Sequence, residues 1–124
     1  MLRSTWHPGP ATATTALIAI TDFHAHRRRD LLAIAQAGRG LAAAWPTLPG
    51  AIGMWLWAMP LSGRSGSVSV WESEEALTAF VRWPPHVQVV RRFHQSGTLH
   101  THRWWTQAFT HPKAWKEAAT HLKT

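Results

Sequence analysis

The chain has 124 residues, 45% of them hydrophobic, which is enough for one domain with one modest core, and no apolar run reaches the ~20 residues of a membrane-spanning helix. Lys and Arg outnumber Asp and Glu by 13 to 6, for a net charge of +7, but apart from the arginines at 27–29 and 91–92 the cations are scattered and follow no RNA-binding or zinc-finger spacing, so neither nucleic acid nor a membrane is the expected partner. Cysteine and tyrosine are both absent, which removes disulfides, thiolate metal sites, a Cys nucleophile and phenol acids.

Residues 1–10 hold no apolar h-region of the kind a secretory signal needs, and a cytoplasmic location is the expectation. Residues 12–23 (TATTALIAITDF) are β-branched and apolar and predict a buried strand. From about Arg27 the period changes. Leu31, Leu32, Ile34, Ala35, Leu41 and Ala44 recur at helical spacing, until Pro46, Pro49 and Gly50 stop the helix.

Residues 51–60 (AIGMWLWAMP) predict a second strand. Its alternation puts Trp55, Trp57 and Met59 on one face and Met54 and Leu56 on the other. A turn over 62–66 leads to a third strand at 68–71, making a hairpin. Ser73 then reads as a helix cap, with Glu74 and Glu75 at the positive end of the helix dipole and Leu77, Phe80 and Val81 as the apolar face. After Pro84 and Pro85 a second helical piece runs from His86 to about His94. A fourth strand covers 98–109, and Trp115, Ala118, Ala119 and Leu122 predict a tail helix over about 112–123.

The order β-α-β-β-α-β is the split βαβ pattern of ferredoxin-like α+β folds, an antiparallel sheet with helices on one face. One domain over 1–124, with its core at about 14–109, is expected. The second face of such a sheet also needs a cover, and a second copy of the chain supplies one, so a homodimer is expected.

Nine tryptophans are more large rings than a core this small requires, and some are expected to line a cavity for a flat apolar ligand. Trp55, Trp57, Trp71, Trp83, Trp104 and Trp105 are the candidates, with core filler as the plainer reading. His86, Val90, Phe93 and His94 share one helix face. An imidazole there is a candidate general base or haem ligand, or else a helix cap. Arg91, Arg92 and Arg103 are candidate anchors for a ligand anion, with surface solvation as the default. The pairs His24/His26 and His100/His102 have the i, i+2 spacing of a strand-borne metal chelate, but no carboxylate at suitable spacing completes either, and solvated or pocket-edge rings are expected. Ser-His-Asp order, P-loop and dinucleotide fingerprints are all missing.

The stretch at 69–81 (SVWESEEALTAFV), followed by His86, resembles the strand-helix-histidine segment of dimeric α+β-barrel proteins. It is most similar to the spheroidene monooxygenase-like and antibiotic-biosynthesis-monooxygenase-like groups. The match covers about a quarter of the chain, and its W-x-S-x-x-A-x-x-x-F pattern is mainly structural. The resemblance implies a pocket between helices and sheet that takes polyketides, carotenoid-like chains or haem. Some members oxygenate without a cofactor, and others hold haem through a histidine that His86 best matches. The Asn-Trp-His set of the haem-degrading branch has no counterpart here at matching spacing. The resulting expectation is a small tailoring oxygenase for an aromatic or polyene substrate. His86 is its catalytic base or iron ligand, and Trp55, Trp57, Trp71, Trp83, Val90, Phe93, Arg103 and Trp104 surround the substrate. Haem is the alternative cofactor, and a non-catalytic module for hydrophobic ligands is the alternative class.

Overall fold

The computed structural model describes residues 1–123. Two short strands, β1 (Leu2–Arg3) and β2 (His7–Pro8), precede the long β3 (Ala16–Ala25). Then follow α1 (Leu31–Ala42), β4 (Ala51–Met59), β5 (Arg64–Trp71), α2 (Glu74–Arg82), α3 (Pro84–Phe93), β6 (Gly97–Thr106) and α4 (His111–Leu122). The six strands form one antiparallel sheet in the order β1-β4-β5-β3-β6, with β2 also on the outer edge of β4. This is the expected ferredoxin-like α+β fold, with two strands added.

Local chemistry explains most boundaries. Ser73 is extended, and its hydroxyl accepts from the Ala76 amide at 3.1 Å, so α2 starts there, with Glu74 and Glu75 in its first turn. Trp83 precedes a proline and is held extended at φ −64°, ψ 130°, which ends α2. The expected start of α3 at His86 is two residues late, because both prolines fit the first turn, where an amide hydrogen has no helical partner. Gly63 closes the β4–β5 hairpin at φ +69°. Strand β5 begins at Arg64 rather than 68, so the hairpin is longer than its apolar run suggested.

The second face of the sheet departs from expectation. It is packed by the chain's own α4 and N-terminal arm rather than left for a second copy. Ile18, Ile20, Trp55, Trp57, Val68 and Val70 meet Ala114, Ala118 and Leu122 of α4, all buried. Trp6 lies edge-on to Trp55, centroids 4.5 Å apart, and directly over Gly53, where any Cβ would collide with its ring. Glu117 fastens α4 by accepting from Trp104 Nε1 at 2.8 Å and Thr106 Oγ1 at 3.2 Å. On the opposite face Leu17, Met54, Trp71, Trp45, Ala42 and Leu77 form a second core under α1 and α2. Among the described residues no helix is long and apolar enough to cross a membrane.

Candidate functional site

Strand β5 presents a row of serines to the helices. Pairing aligns Ser65, Ser67 and Ser69 of β5 with Phe23, Thr21 and Ala19 of β3, and with Ala58, Leu56 and Met54 of β4. These residues form the floor of a cavity of about 1150 Å³, roofed by α1, α2 and α3. Leu31, Ile34, Phe80, Val89, Val90 and Phe93 give it apolar walls. The volume exceeds the ~300–1,000 Å³ usual for small-ligand sites, so it suits a large apolar molecule.

The polar groups are few and placed. Thr21 Oγ1 and Ser67 Oγ hydrogen-bond at 2.8 Å, and Ser69 Oγ accepts from Trp71 Nε1 at 2.9 Å. Ser65 Oγ is buried beneath the floor without a hydrogen-bond partner.

His86 is half-buried in the wall, 4.6 Å from the Phe80 ring between centroids. Its Nδ1 lies 3.0 Å from the Val81 carbonyl oxygen. A carbonyl only accepts, so Nδ1 carries the hydrogen and Nε2 keeps a lone pair. Burial lowers the His86 pKa from 6.5, against a smaller raising effect of the Val81 hydrogen bond. The neutral ring therefore dominates near pH 7.

No family model and no curated protein matches the sequence. Solved structures do match. SnoaB, a cofactor-independent oxygenase from Streptomyces nogalater, aligns with TM-score 0.61 at 15% identity, over 78% of this chain and 97% of its own. A dimeric ferredoxin-like protein of unknown function from Jannaschia sp. CCS1 aligns with TM-score 0.63 at 15% identity, over 72% and 97%. A conserved protein of unknown function from Bacteroides thetaiotaomicron gives 0.64 at 15%, over 76% and 100%. The likeness is one of fold.

Of the residues singled out from sequence, His86, Val90 and Phe93 come together at this cavity. Of the tryptophans singled out, Trp57 alone is in the lining. Trp55 and Trp104 pack on the opposite face, against α4 and the N-terminal arm. Trp57 borders the cavity but is buried in that same opposite core, under the Arg64 guanidinium. Trp71 is fully buried between Trp45 and Phe80 as core. Trp83 stands at the α2–α3 junction, 6.1 Å from Phe80, outside the lining. Arg103 is exposed on β6, paired with Ala19, and does not reach the wall.

Sequence reasoning missed Trp45, Arg39 and the serine row, all of which line the cavity. The Ser-x-Ser-x-Ser alternation at 65, 67 and 69 was the available signal, since it marks one strand face too small to fill its space.

Proposed function

We propose that the helix-side cavity is the active site of a small monooxygenase-like enzyme acting on a large hydrophobic aromatic or polyene substrate. The observation that carries this reading is His86. Its ring is anchored through Nδ1 at the wall of an apolar cavity, and burial keeps it neutral with the lone pair on Nε2. Such an imidazole takes a proton from an acidic C–H or O–H of a bound substrate. The resulting delocalised anion reduces dioxygen as the reacting CH₂ becomes C=O, one oxygen atom entering the product and the other leaving as water with the two hydrogens lost from that carbon. The apolar walls keep bulk water from quenching the anion. The fold shared with a cofactor-independent oxygenase supports this choice.

The test is oxygen uptake with a panel of planar polyphenols and polyenes. His86→Ala should lower turnover by about 10²–10⁴-fold while substrate still binds. Unchanged turnover removes the reading.

The same atom supports a second reading. A histidine with Nδ1 bound to a backbone carbonyl and Nε2 free is the donor arrangement of a haem ligand, and Arg39 at the wall offers a partner for an acidic edge. Haem held by His86 would supply dioxygen activation. Reconstitution that yields the strong violet absorption of haem, and loses it in His86→Ala, would favour this reading.

The working unit is proposed to be a homodimer. With the second face covered in cis, the free surface is the outer edge of β6, which no strand pairs among the described residues. Leu99 and Trp105 on it are 47% and 49% exposed. A long exposed edge of this kind invites a second copy. Light scattering should give twice 13.9 kDa, and a monomer at micromolar concentration would contradict it.

A further inference from the structure

On the tail-helix side of the sheet, away from the cavity, β3, β6 and the end of α4 enclose a cleft of about 370 Å³. Four histidines reach it, none adjacent to another in sequence: His24, His100, His102 and His121. We propose that this cleft binds a divalent first-row transition-metal ion, such as Cu²⁺ or Zn²⁺, through His24 and His100.

Pairing register brings the two ligands together. His100 lies opposite Asp22, and His24 opposite Thr98, so the two histidines are diagonal neighbours on one face. Their ring centroids are 4.9 Å apart with planes at 67°. Two imidazoles sharing a tetrahedral ion at ~2.0–2.1 Å from nitrogen have centroids roughly 5 Å apart. The edge-on pair therefore has the ring separation that a shared ion requires.

His24 is also prepared as a ligand. Its Nε2 lies 3.2 Å from Asp22 Oδ1. A carboxylate accepts, so Nε2 carries the hydrogen and Nδ1 is the nitrogen left for a metal. Asp22 is in turn gripped by Arg64, whose Nη2 and Nε donate to its two oxygens at 2.6 and 3.2 Å. This carboxylate-histidine arrangement is the one that orients metal-ligating imidazoles and strengthens them as donors. Arg64 is engaged by Asp22 and by the Leu122 carbonyl at 3.1 Å, which tempers its repulsion of a cation. Among the described residues no three His, Asp or Glu side chains surround one point, so the site is bidentate, with water completing the shell. Imidazole donors suit copper, zinc and nickel over magnesium or calcium.

The test uses untagged protein titrated with Cu²⁺ or Zn²⁺ by calorimetry, with the copper form examined by electron paramagnetic resonance. One equivalent should bind, with nitrogen hyperfine structure from two imidazoles. Asp22→Asn should weaken binding about tenfold, and His24→Ala and His100→Ala should each weaken it further. His26→Ala, outside the cleft, should leave it unchanged. His24 and His100 are partly or fully exposed, so unaltered melting temperatures will show that these variants fold. The proposal fails if the wild type binds no stoichiometric ion. It fails equally if His24→Ala and His100→Ala bind as the wild type does, or if binding is lost only in His102→Ala or His121→Ala, whose rings form the neighbouring pair at 4.2 Å.

Discussion

The two faces of the sheet are built from the same strands and use opposite materials. Toward α4, strands β4 and β5 present Trp55, Trp57, Val68 and Val70, and the space is filled. Toward α1, α2 and α3 they present Met54, Leu56, Ser65, Ser67 and Ser69, and a cavity of about 1150 Å³ remains. Interiors are packed to near-crystalline density wherever side-chain volume allows. A void therefore survives where side chains are too small to close it. On β4 the pair Trp55 and Trp57 marks the sealed face, and on β5 a run of alternating serines marks the open one.

Removing the seal should have the largest effect. Deleting residues 111–124 would strip Ala114, Ala118 and Leu122 from the tail face and expose Ile18, Val68 and Val70 to water. Loss of cooperative thermal unfolding is expected. A truncated chain that melts as the full one does would mean that α4 is an appendage. Next in size is Trp55→Ala, which opens a hole between Trp6 and Trp115 and should cost about 3–5 kcal/mol in denaturant unfolding. On the open face the stakes are smaller. Ser69→Ala deletes the acceptor of the buried Trp71 Nε1 hydrogen bond, and about 1–3 kcal/mol is expected. If Ser69→Ala proves costlier than Trp55→Ala, the assignment of sealed and open faces is reversed.

Much of this architecture could be read from the residues. Alternation in 51–60 correctly separated Trp55 and Trp57 from Met54 and Leu56, and Ser73 with its two glutamates marked the start of α2. Alternation does not say which face is sealed, because that depends on where α4 and the N-terminal arm dock. The arm's strands are two residues long, too short for any period to show, and Trp6 fits only because residue 53 on a distant strand is glycine. His86, Val90 and Phe93 were legible as a shared helix face that meets the cavity. The pairing of His24 with His100 was not, since it depends on the β3–β6 register, and a one-residue slip would have sent the two rings to opposite faces.

The smallest expected effect concerns the open face under acid, and it isolates His86. Burial holds the folded His86 pKa below 6.5, and the hydrogen bond to Val81 only partly offsets it. In the window between that lowered value and 6.5, the unfolded chain binds a proton at this position and the folded chain does not. Stability then rises with pH across the window. Above 6.5 both states are neutral here, and below the folded value both are protonated, so the contribution is flat on either side. The informative quantity is the difference between wild type and His86→Gln, followed by denaturant unfolding from pH 4.5 to 7.5. The variant should lose less stability on acidification than the wild type, with the divergence confined to pH values below about 6.5. A tryptophan-sealed position would instead show a pH-independent offset. If the two curves run parallel throughout, the His86 ring is solvated, and the helix-side cavity lacks the neutral base that its proposed chemistry requires.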